Sequence, residues 1–351
     1  MVILGVDAHK HTHTVVAVDD NGRQVASRTV GTSTGEHLGL LRWATQFGDD
    51  TGGRRWAIED CRHVSGRLER DLLAAGERVV RVPPRLMAGA RQAVRALGKS
   101  DPIDALAVAR AALREPRLPT ARLDGPEREV RLLVDHREDL LAERTRVIGR
   151  LRWHLHELDP TWAPAARALD RVSAYDAVEA HLDALPDGAI LVARLARSLV
   201  QHLRALTVQI DQMHTEIEAR VHQLVPTLLA IVGVGPLTAA KIVGETAGVD
   251  RFASKDAYAR YSGTAPLPVW SSNRARHRLS RAGNRQLNAA LHRMALTQMR
   301  VHPPAKAMIE RRRAGGDGGM EALRVLKRRL SDVAYKALRD DLANRAELTA
   351  A

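Results

Sequence analysis

A single cysteine, Cys61, in 351 residues rules out an internal disulfide framework and a cysteine zinc site, and it fits a reducing cytoplasm. No apolar stretch is long enough to span a membrane, and Asp7, His9 and Lys10 interrupt the start of the chain where a signal peptide needs its apolar run. The chain is therefore expected to be soluble and intracellular, without a membrane partner. Aromatic residues are only 3% of the total, which leaves few platforms for stacking unpaired bases. The most localised absence is of acid: between Asp256 and Glu310 there is no Asp or Glu, while Arg260, Arg274, Arg276, Arg278, Arg281, Arg285, Arg293, Arg300 and Lys306 fall in that window.

What is present points the same way. Lys and Arg outnumber Asp and Glu by 54 to 41, a formal charge of +13, which favours a polyanionic partner. The acid-free window concentrates that charge, and Arg274, Arg276, Arg278, Arg281 and Arg285 within it are the expected phosphate-binding surface. With few aromatics, recognition of duplex through its backbone is the better expectation.

The pattern divides the chain into three segments, and the expected fold class is α/β followed by mainly α. Residues 1 to 122 alternate strand and helix signals: Val2 to Val6, Thr14 to Val18 and Gln24 to Val30 read as strands, with a hairpin turn at Asp19-Asp20-Asn21-Gly22. A helix from Gly35 to Phe47, a strand ending at Glu59, a helix over Val64 to Ala75 and a strand at Arg78 to Val82 follow. Three antiparallel strands, then helix, strand, helix, strand, helix, is the order of a ribonuclease-H-like domain. Residues 123 to 225 read as a helical arm, with Leu199, Leu203, Leu206, Ile210, Met213, Ile217 and Leu224 spaced as the seam of a coiled coil or long helical hairpin. An ordinary bundle core explains that spacing as well. Residues 226 to 351 turn to glycine-rich turns and clustered arginines.

Asp7 closes the first strand and Glu59 the fourth, while Asp101 and Asp104 open a helix and, three residues apart, share one of its faces. The first and fourth strands of a ribonuclease-H-like sheet are neighbours, so these four carboxylates are expected to converge. Hard divalent cations take oxygen ligands and can clamp the attacking and leaving oxygens of a phosphodiester displacement. Taken singly, Asp101 and Asp104 are ordinary helix-start acids, and Asp60 competes with Glu59 from the opposite strand face. His9, His11 and His13 alternate in a way that would suit metal ligands, but alternating polar residues on a solvated strand face account for them more economically.

In the last segment, Leu228 to Gly235 followed by Pro236 to Ile242 reads as helix, glycine hairpin, helix. Gly233 and Gly235 permit close backbone approach, and the next helix start, with Lys241, is expected to hold a phosphate without reading bases. Ser271 and Ser272 lie beyond Ala265-Pro266, before the arginine run. A serine beside arginines and a bound phosphate can form a phosphoserine link, although a lone loop serine is usually a turn residue or helix cap.

These residues resemble one family, the transposases of the insertion-sequence-110 type, whose DEDD domain is RuvC-like. The resemblance is carried by GVDAHKHTHT at 5 to 14, WAIEDC at 56 to 61, KSDPIDALAVAR at 99 to 110, LLAIVGVGPLTAAKIVGE at 228 to 245, YSGTAP at 261 to 266 and RLSRAGNRQLNAALHR at 278 to 293. It implies that Asp7, Glu59, Asp101 and Asp104 are the four acids that bind Mg2+, with Mn2+ as the substitute. It implies a nucleophilic serine falling on Ser271, with Ser272 as rival because the family commonly has glycine there. It further implies a bacterial cytoplasmic, nucleoid-associated protein that acts as a dimer or tetramer. DNA element ends and target would be its substrates, and a structured RNA encoded beside the gene its guide. The resulting expectation is an RNA-guided transposase that inserts and excises its own element. A junction-resolving nuclease using only the carboxylates, and a non-catalytic DNA-bridging protein, are the alternatives.

Overall fold

The computed structural model describes residues 1–48, 53–59, 64–83, 86–87, 100–115, 118, 120–121, 125–165, 167–185, 190–271, 274–278 and 283–350. The chain forms two compact units. One is Met1–Asp124 with Asp250–Ala253, and the other is Gly125–Val249 with Ser254–Ala351.

In the first unit, β1 (Val2–Ala8), β2 (Thr12–Val18), β3 (Gln24–Gly31), β4 (Arg54–Glu59) and β5 (Val79–Val82) form one sheet in the order β3-β2-β1-β4-β5. The β1–β2 and β2–β3 pairs are antiparallel, and the β1–β4 and β4–β5 pairs are parallel. This is the ribonuclease-H-like arrangement expected from the sequence. The turn between β2 and β3 forms because Gly22 supplies φ +76° and Asp19 Oδ1 accepts the amides of Asn21 and Arg23.

Central strands are buried on both faces, so β1 and β2 read as nearly unbroken apolar runs. On one face α1 (Thr34–Ala44) and α2 (Gly66–Ala74) cover Leu4, Val6, Val15, Ala17, Trp56 and Ile58. On the other, α3 (Asp101–Arg114) covers Ile3, Val16, Val18, Ala57 and Val80 with a run of alanines. At the base of β4 two buried polar side chains are paired through Glu77, which accepts from Arg54 Nε at 3.1 Å and from the Trp56 indole at 2.8 Å.

Among its described residues, the second unit is helical except for one short ribbon. The long helices α4 (Pro126–Leu158) and α6 (Ile190–Leu224) run antiparallel, as the pairings Glu129–Arg220 and Glu143–His202 require. Between them, α5 (Val172–Asp183) closes one end of a core that includes Leu151, Leu155, Tyr175, Val200 and Leu203. The α6 seam is thus met by α4 of the same chain, as a helical hairpin. The helix α4 also packs on α8 (Pro236–Thr246), so the helices of residues 123 to 225 and those that follow belong to one compact unit. No described helix is long and apolar enough to cross a membrane.

Candidate functional site

The acids are assembled by one close approach. A Cβ on Gly5 would lie 2.3 Å from the Ala105 carbonyl oxygen and 2.6 Å from the Ala109 Cβ, distances that no real side chain could hold. Glycine in β1 and alanines in α3 therefore let the helix lie directly on the strand. Asp7 is two residues beyond Gly5 on the same strand face, and Asp101 is one turn before Ala105. The start of α3 consequently sits over the end of β1.

Asp7 is buried, Asp104 is buried and Asp101 is exposed. The Asp7 carboxyl is held above its ordinary pKa, chiefly by burial. His9 opposes that shift through its charge and hydrogen bond, and the charges of Asp104 and Asp101 add to it. Glu59 enters through the sheet. The last pairing of β1 with β4 is Val6 with Ile58, so position 59 adjoins position 7 on the α3 side. Asp60 lies outside the described residues.

His9, which the sequence pattern explains more economically as one of three alternating polar residues than as a metal ligand, stands beside the acids. Its Nε2 lies 3.0 Å from Asp7 Oδ2 and 3.4 Å from Asp101 Oδ1. Among the described residues, Asp7, His9 and Asp101 are the group whose ligand atoms all fall within 4.8 Å of one another. The three alternating histidines go separate ways because β2 begins only at Thr12. His9 sits in the turn, where its amide donates to the Thr12 carbonyl at 2.9 Å, and its ring turns back over β1. His11 is exposed. His13 points to the other face, buried with its ring 5.3 Å from that of His37.

A set of carboxylate oxygens with one imidazole nitrogen fits a divalent cation of the Mg2+ or Mn2+ kind. Packing carboxylates together raises their energy unless a cation neutralises them, which gives the arrangement a chemical reason.

In the second unit a one-turn helix, α7 (Pro226–Leu229), leads through Gly233 and Gly235 into α8. Asp341 accepts the Thr227 and Leu228 amides and so caps α7. Gly233 has φ +87°, and a Cβ there would meet the Met294 carbonyl oxygen at 3.0 Å, so this glycine serves close packing on α10 (Arg285–Val301). Gly235 caps α8 with nothing within 4 Å of its Cβ direction. The Lys241 side chain is only 3% exposed, and its Nζ is 2.7 Å from Glu138 Oε1 on α4. Its charge is met inside the protein rather than presented to solvent.

Between α9 (Lys255–Tyr261) and α10 lies the ribbon of β6 (Leu267–Ser271) and β7 (Arg274–Arg278), a stretch that sequence alone suggests as loop. Ser271 pairs with Arg274, Val269 with Arg276 and Leu267 with Arg278. These six positions share one face of the ribbon, with Ser271 at its end. Ser272 and Arg281 lie outside the described residues. The base of the ribbon is pinned: the Asn284 amide donates to the Tyr261 carbonyl at 2.6 Å, Asn288 Nδ2 to the Ser262 carbonyl at 2.8 Å, and a Cβ on Gly283 would lie 2.1 Å from the Gly263 nitrogen. Arg285 is exposed at the start of α10.

Comparison with known proteins adds to this geometry. Residues 4–160 match the DEDD family of IS110 type, described as transposase, and residues 225–310 match the transposase IS116/IS110/IS902 family. The chain is 28% identical to the insertion element IS900 uncharacterized 42 kDa protein of Mycobacterium paratuberculosis, over 96% of this chain and 95% of that protein. It is also 28% identical to the insertion element IS116 uncharacterized 44.8 kDa protein of Streptomyces clavuligerus, over 96% of this chain and 94% of that one. Thermus thermophilus RuvC aligns with 34% of this chain and 100% of its own, at 19% identity and a TM-score of 0.28.

Proposed function

Since the chain belongs to the IS110-type transposase family and is thus an enzyme that cuts and joins DNA, we propose that it moves its own element by serine-assisted strand exchange. In this reading Asp7, Glu59, Asp101 and Asp104 hold Mg2+ or Mn2+, and Ser271 is the nucleophile. The observation that carries it is the convergence of Asp7 with Asp101 and Asp104 where α3 lies on Gly5. A DNA-bridging protein gains nothing from such a costly cluster.

The bound cation, when present, polarises the phosphate and steadies the developing charge. The Ser271 oxygen bonds to phosphorus as the bond from phosphorus to one deoxyribose oxygen breaks, and that oxygen leaves with a proton. Attack by a deoxyribose hydroxyl of the other strand then reverses the step and frees the serine. One phosphodiester replaces another, so no ATP is needed. Arg274, Arg276, Arg278, Arg281 and Arg285 supply phosphate contacts beside the serine, and the Gly235 end of α8 seats duplex backbone. A structured RNA is the proposed guide, and two or four copies the proposed assembly, with the acids of one protomer serving the serine of another.

Strand exchange on a substrate carrying the element ends tests this. Ser271→Ala and Asp7→Ala should each abolish exchange, and mixing the two variants should restore part of it. Nicking that survives loss of both Ser271 and Ser272 would assign a carboxylate-only nuclease instead.

A further inference from the structure

The histidine beside the acids is neither part of the four-carboxylate set nor buried structure. Its ring is about half exposed, yet one nitrogen lies between carboxylates from two separate elements, the end of β1 and the start of α3. A divalent cation with bonds of roughly 2.1 Å spaces neighbouring ligands by roughly 3.0 Å, the octahedral edge. The observed separations of 3.0 Å and 3.4 Å are one such edge and one slightly longer, with His9 Nε2 as their shared corner. A hydrogen bond to Asp7 alone would account for the first distance but would not bring the same nitrogen to Asp101.

We propose that His9 supplies a nitrogen ligand to the divalent cation held by Asp7 and Asp101, and that this ligand biases the site toward Mn2+ over Mg2+. Ligation uses the Nε2 lone pair, which places the ring proton on Nδ1. Imidazole is a borderline donor that Mn2+ accepts more readily than Mg2+, which prefers oxygen and keeps its waters. The exposed side of the ring leaves the rest of the coordination sphere open to water and phosphate. The inference rests on the reading of Asp7 and Asp101 as cation ligands, and the test separates the two.

The experiment is pulsed electron paramagnetic resonance of Mn2+ added to the full-length protein, with binding measured in parallel for Mn2+ and Mg2+. Wild type should show 14N coupling from a directly bound nitrogen, and His9→Ala should lose it. That substitution should weaken Mn2+ binding about 10-fold, the scale of a lost supporting group, while Mg2+ binding changes much less. Bound Mn2+ without 14N coupling in wild type, or coupling that persists in His9→Ala, overturns the proposal while leaving the acidic site intact. If Asp7→Ala binds Mn2+ as well as wild type, the acidic-site reading itself fails, and this inference with it.

Discussion

Gly5 and Ala109 approach so closely that a Cβ on the glycine would lie 2.6 Å from the alanine's own. That contact sets the height of α3 above β1 and hence the distance from Asp101 and Asp104 to Asp7. Gly5→Ala should therefore do two things at once. It should destabilise the protein by about 2 kcal/mol through overpacking, and it should weaken cation binding because α3 must lift. Denaturant unfolding and cation titration check this; an unchanged affinity in the folded variant would show that the contact does not govern the acids.

Asp7 is a carboxylate whose burial and like-charged neighbours work against its ionised form. Removing the charge with Asp7→Asn should raise stability without cation at neutral pH by about 1 kcal/mol. The same change should erase the stabilisation that Mg2+ or Mn2+ gives wild type. Thermal unfolding with and without cation reads both, and a variant that keeps the cation-dependent gain would contradict the assignment.

His13 is pushed down from 6.5 to about 4, mainly by burial and then by the charges of His37 and His9. The unfolded chain takes up this proton below 6.5, the folded one only below about 4. Stability from this group is therefore fully present above that window and falls as pH drops through it, by at most ~1.4 kcal/mol per pH unit. His13→Leu should flatten that part of the profile. Urea unfolding at pH 5 and pH 7 should show a smaller difference for the variant, and equal pH dependence in both would refute the cause given.

Lys241 and Arg285 should behave oppositely. Lys241→Met breaks a pair whose lysine is buried while Glu138 keeps contact with solvent. It should cost ~2 kcal/mol of stability, less than a fully buried pair, and leave the salt dependence of DNA binding unchanged. Arg285→Ala should leave stability alone and lower the slope of log affinity against log salt by about 1. Binding measured across salt concentrations distinguishes them; a lowered slope for Lys241→Met would place that lysine at the DNA.

Much of the first unit was legible because its signals are local. Apolar runs, the Asp19 to Gly22 turn and acids at strand ends follow from strand period and turn chemistry. The position of Glu59 beside Asp7 needed only the strand order. Which of the three alternating histidines reaches the acids was not legible, since it depends on β2 starting at Thr12, which leaves His9 in a turn that folds back, while His13 falls on the opposite face. Lys241 was misleading for a similar reason. Ala239, Ala240, Ile242 and Val243 around it are all buried, and its partner Glu138 lies about a hundred residues earlier, which no local pattern reports. Gly233 and Gly235 carried a signal of close approach, but only the structure shows that Gly233 meets α10 while nothing lies within 4 Å of a Cβ on Gly235, and the approaches of Gly5 to α3 and Gly283 to Gly263 had no local signal.

The most direct test of the account is to trap the protein on DNA carrying the element ends, digest both, and identify the cross-linked peptide by mass spectrometry. The account predicts a nucleotide phosphate on Ser271 in wild type, lost in Ser271→Ala and in Asp7→Ala. An adduct on another residue, or efficient strand exchange with no adduct in a trapping-competent assay, would contradict it.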